Sequence, residues 1–138
     1  MSNEMSLDVF LFFDGNCREA VEFYAQVFQQ EIPKMMRYGE NPDGSSEQDK
    51  DRILYASLPV AGQNMMFSDC PMGQNHIKGN NFAATLGSND ETDIKRIFQE
   101  LSEGGQIYMP LGKTFFNELF GMVCDKFGVI WQLSLIGK

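Results

Sequence analysis

Apolar and polar residues alternate near the end of the chain in a pattern that predicts a β-hairpin over residues 120–135. Two apolar runs flank residues 125–128, where Asp125 suits the first position of a tight turn and Gly128 the last. In the second run one face carries Val129, Trp131, Leu133 and Leu135, and the other carries Ile130, Gln132 and Ser134. Gln132 is therefore a polar side chain on a mostly apolar strand.

Two segments have the three- and four-residue spacing of amphipathic helices. The apolar stripe of the first consists of Ala20, Phe23, Tyr24, Val27 and Phe28, and that of the second of Ile94, Ile97, Phe98 and Leu101. Asn16 with Glu19 three residues later predicts a capping box for the first helix. Ser88 with Glu91 predicts the same start for the second helix, which the glycines at 104–105 end.

The chain repeats itself, because Phe23 and Tyr24 of the first helix recur as Ile97 and Phe98 of the second, 74 residues later. Further strands are predicted at residues 7–13, 32–38, 52–58, 63–67, 82–86 and 106–109, with a hairpin loop at residues 59–62. Together with the final hairpin, this order gives two copies of strand, helix and three strands. The sequence therefore predicts an α+β fold of two tandem βαβββ modules, pseudo-symmetric about a shared cleft.

Polar segments rich in glycine and proline separate these modules. Module one is predicted to cover about residues 6–69 and module two about residues 80–136, with residues 70–79 as the connector. We predict a single domain, since 138 residues suffice for one core. The sequence leaves open whether residues 39–50 and 69–79 act as lids.

Composition excludes several classes of function. The net charge is −8, which repels nucleic-acid phosphates and anionic lipid surfaces. The longest purely apolar run, residues 9–13, is far shorter than the roughly 20 residues of a transmembrane helix. The first residues include Glu4 and Asp8 but no basic residue, so they do not predict a secretory or mitochondrial signal. Because three cysteines without a Cys-x-x-Cys pair also fit a reducing compartment, we expect a cytoplasmic protein without nucleic-acid or membrane partners.

Two motifs near the ends of the chain can be compared with known families. The first is residues 13–20 followed by Phe23 and Tyr24. The second is residues 120–123 followed by Asp125, Phe127, Gly128, Val129 and Trp131. Together they resemble the motifs of PhnB-like proteins, which belong to the vicinal oxygen chelate superfamily with glyoxalase I, extradiol dioxygenases and the fosfomycin and bleomycin resistance proteins. The resemblance covers nearly the whole chain, and it implies curved mixed sheets around a cleft and a homodimer.

The resemblance also implies where a divalent metal would lie. The first-strand histidine of the metal-dependent members falls on Leu7, Asp8 or Val9, of which only Asp8 could ligate. The other ligand positions fall on Met66, Asn81 and Gln132. A thioether and two neutral amides supply no charge to a dication. We therefore expect no metal and no other cofactor.

The same amides can donate and accept hydrogen bonds at once. Met66 and Met122 would add a soft apolar wall to a polar pocket. The predicted ligand-binding residues are accordingly Asp8, Met66, Asn81, Met122 and Gln132. The alternative for both amides is a structural role, in which they satisfy backbone groups or face solvent.

Other reactive side chains have simpler interpretations. His76, the only histidine, lies in the connector and is interpreted as a solvated loop residue, with a general-base role only if the connector folds over the cleft. Cys17 lies near a helix N-terminus, where a thiol pKa can fall, but no second histidine or cysteine supports a reactive role. Arg37 and Lys113 are interpreted as solvated strand ends rather than as anchors for an acidic ligand.

These observations favour a dimeric, metal-free small-molecule binding protein, similar to the resistance proteins that sequester ligands. One alternative is a metal-dependent lyase, isomerase or dioxygenase that uses Asp8 with ligands the sequence does not identify. Another is a dimer without a small ligand, in which the amides are structural. PhnB-like proteins have also been labelled ubiquinone methyltransferases, but no glycine-rich loop after a strand predicts a site for an adenosyl cofactor.

Overall fold

The structure, a computed structural model, describes residues 4–137, which form two compact units divided between His76 and Ile77. The elements of the first unit are β1 (Val9–Phe13), α1 (Cys17–Val27), β2 (Met36–Arg37), β3 (Ile53–Val60) and β4 (Gln63–Asp69). Those of the second are β5 (Ala84–Ser88), α2 (Glu91–Ser102), β6 (Gln106–Gly112), β7 (Phe120–Cys124) and β8 (Ile130–Leu135). The division lies inside the predicted connector, residues 70–79. Within the described range, no helix has the length and apolar character needed to cross a bilayer.

Each unit contains a four-stranded mixed sheet. The strand order is β1-β4-β3-β2 in the first unit and β5-β8-β7-β6 in the second. The first and last strands of each module pair in parallel, and the other neighbours pair antiparallel. The predicted α+β fold with two βαβββ modules is confirmed. A single domain with a cleft shared by both modules stays a prediction.

The registers of the two sheets show which positions are equivalent. A row of three residues crosses each sheet: Phe10–Met66–Ser57 in the first and Thr85–Gln132–Met122 in the second. Met66 and Gln132 thus occupy corresponding places on the last strand of their modules. The family resemblance implies a ligand position at each of them, which stays a prediction.

In the first unit, α1 packs its apolar face on the sheet. Its buried residues are Cys17, Ala20, Val21, Tyr24, Ala25 and Val27. Tyr24 stacks on Phe67 of β4 with 5.8 Å between the ring centroids. Because Met65 and Phe67 are both buried, the alternation of β4 places Met66 on the opposite, open face.

In the second unit, α2 covers one face of the sheet in the same way. Its buried residues are Ile94, Ile97, Phe98 and Leu101, which confirms the predicted stripe. Gly121 of β7 permits close packing, because a Cβ there would lie 2.8 Å from Phe98 Cε2. Trp131 and Leu133 are buried and Gln132 between them is half-buried, so the alternation predicted for β8 is confirmed.

A buried carboxylate joins three segments of the first unit. Asp69, at the end of β4, is 1% exposed. Its Oδ1 accepts hydrogen bonds from the backbone N–H groups of Gly15 and Cys17 at 2.8 and 3.0 Å, and its Oδ2 accepts one from Ile53 at 2.9 Å. The predicted capping box is wrong: the side chain of Asn16 makes no capping bond, since its backbone (φ −111°, ψ 23°) is not in the extended conformation that capping requires.

A second buried carboxylate, Asp125, organises the turn between β7 and β8. Its Oδ1 accepts hydrogen bonds from the backbone N–H groups of Phe127 and Val129 at 2.9 and 3.1 Å, and its Oδ2 accepts one from Trp131 Nε1 at 2.9 Å. The backbone N–H of Gly128 donates to the Asp125 carbonyl at 2.9 Å, with Gly128 at a φ of +88°. The predicted tight turn is confirmed, and its fixed geometry sets the register of the hairpin.

Several predicted boundaries are wrong. Residues 32–38 yield only β2, followed by a 3₁₀ turn at Tyr38–Glu40, because Glu40 Oε2 accepts the backbone N–H of Arg37 and favours a turn over a strand. The strand predicted at residues 82–86 lies two residues later, as β5.

Two turns also differ from the prediction. The N-cap of α2 is Asp90 rather than Ser88, since the Asp90 side chain accepts the backbone N–H of Thr92 at 2.9 Å. The hairpin loop predicted at residues 59–62 shortens to Ala61 and Gly62, whose φ angles are 52° and 80°. Two consecutive positive φ values are typical of the tight two-residue turn that matches strand twist.

Candidate ligand-binding pocket

An open pocket of about 520 Å³ lies on the second unit, beside the start of β5. Its wall combines three amides, a phenol and four apolar side chains, from Asn80, Asn81, Gln132, Tyr108, Phe82, Ala83, Met122 and Ile130. In the described part of the chain, no charged side chain lines it. The volume and the mixture of apolar and polar groups are those of small-molecule sites.

Three of the five predicted ligand-binding residues, Asn81, Met122 and Gln132, line this pocket. The hairpin places Met122 directly beside Gln132. Gln132 Oε1 accepts a hydrogen bond from Thr85 Oγ1 on the neighbouring strand at 3.2 Å. Among residues 4–137, Gln132 Nε2 has no hydrogen-bond partner. Its two N–H groups are therefore available to a ligand.

Tyr108 of β6 contributes a phenol to the same wall and is 48% exposed. Its pKa is raised, first by a hydrogen bond with Cys124, then by the charge that this thiol can carry, and then by burial. A raised pKa keeps the phenol protonated at neutral pH. Tyr108 is thus a neutral polar group at the pocket.

The other two predicted ligand-binding residues, Asp8 and Met66, belong to the first unit. Asp8 Oδ1 accepts the backbone N–H of Asn64 at 3.2 Å, which fastens the segment before β1 to β4. Met66 shares the open face of its sheet with Phe10 and Phe12, whose rings stack at 4.8 Å between centroids. Neither residue lines the pocket of the second unit.

The donors at the pocket do not fit a divalent cation. Amide oxygens, a thioether and a protonated phenol lack the charge or basicity that Zn²⁺ and Fe²⁺ sites obtain from imidazole, thiolate and carboxylate. Across residues 4–137, no three His, Cys, Asp or Glu side chains come together in an arrangement that could hold a metal ion. Absence of a metal in the working protein stays a prediction.

The remaining reactive side chains are held by local contacts. His76 Nε2 lies 2.9 Å from the carbonyl oxygen of Phe12, so this part of the connector contacts the end of β1. Cys17 is fully buried, and burial together with the charge of Asp69 raises its pKa to about 12. The thiol is therefore protonated and inert, in line with the simpler interpretation. Exposed ion pairs engage both cations that could have anchored an acidic ligand, Arg37 and Lys113.

Comparison with known proteins identifies the family. A family model described as 3-demethylubiquinone-9 3-methyltransferase matches residues 6–134. The chain belongs to this PhnB-like family. A curated relative is protein YjdN of Escherichia coli (strain K12), 31% identical over 143 residues that cover 96% of each chain.

Solved structures support the family and its fold. The putative 3-demethylubiquinone-9 3-methyltransferase, PhnB protein, from Bacillus cereus is 33% identical with a TM-score of 0.79, over 96% of this chain and all of that one (100%). A glyoxalase-related enzyme from Fulvimarina pelagi is 16% identical with a TM-score of 0.56, over 96% of this chain and 89% of that one. The second likeness concerns the fold alone, which is glyoxalase-like.

The family description names a methyl transfer, but the residues of this chain do not fit an adenosyl methyl donor. In the first unit, the backbone N–H groups of Gly15 and Cys17, at the start of α1, are already bonded to Asp69. In the second unit, Asp90 caps α2, and Glu91 and Asp93 occupy its first turn, which disfavours an anionic group there. The pocket offers no carboxylate for a ribose diol. We therefore derive no methyl transfer for this member of the family.

The sequence prediction missed six residues of this region. Five of them line the pocket and Thr85 holds Gln132; the five are Asn80, Phe82, Ala83, Tyr108 and Ile130. Asn80 and Phe82 adjoin the predicted Asn81 in the sequence, and proximity alone could have indicated them. Tyr108 and Thr85 gave no such signal, because their proximity depends on strand pairing that the sequence did not specify.

Proposed function

We propose that this chain is a metal-free small-molecule binding protein of the glyoxalase/bleomycin resistance type, and that its ligand occupies the pocket beside Gln132. The observation that carries the proposal is the half-buried amide of Gln132, whose N–H groups have no partner among residues 4–137 and which lines a pocket of mixed polar and apolar side chains. Polar groups held in place within an apolar wall are the usual means of orienting a small molecule.

The chemistry of the wall favours binding over metal-dependent turnover. A lyase, isomerase or dioxygenase of the vicinal oxygen chelate superfamily would need charged or imidazole ligands at the implied positions. Gln132, Asn81 and Met66 supply amides and a thioether there, and the carboxylate of Asp8 already accepts a backbone N–H. Binding without a metal is the proposal that uses Gln132 and Asn81 as they stand.

We also propose a homodimer in the cytoplasm. Phe115 and Phe116 are 100% and 57% exposed and pack edge to face with 5.2 Å between ring centroids, an exposed apolar patch of the kind that a partner subunit covers. Three free cysteines suit a reducing compartment. Light scattering of the purified protein tests the dimer, and a monomer at micromolar concentration would exclude it.

A ligand screen tests the binding proposal. Thermal shift is measured across a library of small organic compounds for wild type, for Ala83→Phe, which fills the pocket, and for Ser45→Phe, which adds the same ring to an exposed loop outside it. Compounds that stabilise wild type and Ser45→Phe but not Ala83→Phe support the proposal. Compounds that stabilise all three proteins equally bind elsewhere and contradict it.

Metal content distinguishes the proposed binding protein from the alternative, a metal-dependent enzyme. Untagged protein is analysed for Zn, Mn, Ni and Fe before and after incubation with each ion, alongside glyoxalase and dioxygenase assays. We expect no stoichiometric metal and no activity. One metal ion per chain that is lost in Asp8→Ala would overturn the proposal and support a metal-dependent enzyme.

A further inference from the structure

The side chains of the pocket restrict the ligand more narrowly than its volume does. Its wall has no carboxylate, ammonium or guanidinium among the described residues. A charged ligand group would lose part of its hydration there without gaining an opposite charge, which is unfavourable. An uncharged ligand is therefore favoured.

The composition of the wall favours an aromatic ligand. Phe82 and Tyr108 are 60% and 48% exposed, so their rings are accessible to a second ring. Met122 adds a thioether, which contacts aromatic rings favourably. About 520 Å³ accommodates a molecule of two or three fused rings.

Thr85 fixes the direction in which Gln132 can bond. Thr85 lies beside Gln132 in the parallel pairing of β5 with β8, and its hydroxyl donates to Gln132 Oε1 at 3.2 Å. This bond takes up one acceptor position of the amide oxygen and leaves both N–H groups of Nε2 free to donate. A ligand atom that meets Gln132 Nε2 must then be an acceptor.

We infer that the pocket selects uncharged aromatic ligands with a carbonyl oxygen that accepts from Gln132 Nε2, and that Thr85 is the positioning residue that sets this preference. The inference rests on the proposed binding function of the same pocket. It goes further in naming the ligand class and in assigning a role to a residue outside the pocket wall.

Four probes that share a naphthalene ring test the ligand class: 1-acetonaphthone, 1-naphthylamine, naphthalene and 1-naphthoate. They present an acceptor, a donor, no polar group and an anion, respectively. Binding is followed by ¹⁵N NMR of the Gln132 side-chain amide, which is assigned by its disappearance in Gln132→Met. We expect the ketone to bind roughly 3- to 10-fold more tightly than the amine or the hydrocarbon, which is the effect of one hydrogen bond, and the naphthoate to bind least tightly.

Thr85→Val tests the positioning role, because it keeps the shape of the side chain and removes the hydroxyl. We expect the ketone-to-amine affinity ratio to fall to about one, since a freely turning amide can donate or accept equally. Thr85→Ser restores the hydroxyl and should restore the ratio. A structural effect of Thr85 would change the affinities of all probes together and leave their ratio unchanged, and that result would overturn the inference.

Two failures can be told apart. If none of the four probes shifts any resonance of the pocket residues, and the thermal-shift screen also finds no ligand sensitive to Ala83→Phe, the proposed function fails. If the probes bind in the pocket without any preference for the ketone, only the ligand class and the role of Thr85 fail.

Discussion

Asp125 is the residue whose replacement tests most directly how the final hairpin is held. Its carboxylate is 3% exposed and accepts hydrogen bonds from two backbone N–H groups and from Trp131 Nε1. Asp125→Asn keeps the size of the side chain but replaces one acceptor oxygen by an N–H donor. In either orientation of the asparagine amide, its NH₂ group then faces an N–H group whose hydrogen bond the carboxylate accepted in the wild type.

The expected cost follows from these contacts. Loss of one hydrogen bond to a charged acceptor costs about 2 kcal/mol, and weakening the others from charged to neutral adds about 1 kcal/mol. The total of about 3 kcal/mol corresponds to a fall in Tm of about 10 °C for a chain of this length. Asp51→Asn is the matched control: the Asp51 side chain is 78% exposed, and its ion pair with Arg37 is expected to contribute less than about 0.5 kcal/mol.

A double-mutant cycle with Trp131→Phe isolates the indole contact. Urea unfolding is followed by far-UV circular dichroism, because Trp131 is the only tryptophan and its fluorescence is lost in the variant. If the Nε1 bond carries the cost, Asp125→Asn should be less destabilising by about 1.5 kcal/mol or more in the Trp131→Phe background. An equal cost in both backgrounds, or a cost below that of Asp51→Asn, would refute this account of the hairpin.

Three further predictions concern the first unit and the thiols. Ala61→Asn should stabilise the protein by about 0.5–1 kcal/mol, because asparagine tolerates the positive φ of 52° at this turn better than alanine does; chemical denaturation measures it, and a loss of stability would contradict it. The pKa of Asp49 is lowered in the folded protein, mainly because its carboxylate accepts the backbone N–H of Met72. The ionised carboxylate therefore stabilises the fold fully above the ordinary pKa of 3.8, and this stabilisation is lost as the pH falls through the lower pKa of the folded state. The Tm difference between wild type and Asp49→Asn should therefore be largest at pH 7 and shrink at pH 3, whereas a constant difference would exclude this cause. Finally, iodoacetamide followed by mass spectrometry of the native protein should modify half-buried Cys124 first and leave Cys17 unmodified until unfolding; labelling of Cys17 in the folded protein would contradict its burial.

Much of the fold could be predicted from the periodicity of apolar residues, because the helices and the strands each bury a single face. The stripe of α2 and the alternation of β8 each identify the side that packs inward, and the structure confirms both. Predictions failed where a single side-chain contact decides the backbone. The side chain of Glu40 accepts the backbone N–H of Arg37 and so favours a turn after β2. Asp90 caps α2 in place of Ser88, although aspartate and serine are both typical N-cap residues.

The candidate site was predictable only in part, for a related reason. Asn81 and Gln132 were indicated by the ligand positions that the family resemblance implies, and Met122 by its place among the methionines on predicted strands. The pocket brings the three together. Thr85 and Tyr108 reach the same region through the pairing of β5 with β8 and of β6 with β7. Sequence periodicity does not specify which residues face each other across strands, so these two residues had to come from the structure.

The two modules differ in chemistry along one row of residues that their strand pairing makes equivalent. In the first sheet the row is Phe10–Met66–Ser57, and in the second it is Thr85–Gln132–Met122. Met66 has no hydrogen-bonding hydrogen to offer and lies beside an aromatic ring, whereas Gln132 is held by a neighbouring hydroxyl with its N–H groups unused within the described residues. Directional recognition of a polar ligand atom requires a fixed donor, and of the two equivalent positions Gln132 alone supplies one. The same module therefore presents a thioether on its open face in one copy and an oriented amide in the other, and the proposed ligand recognition depends on that one amide and on the neighbour that orients it.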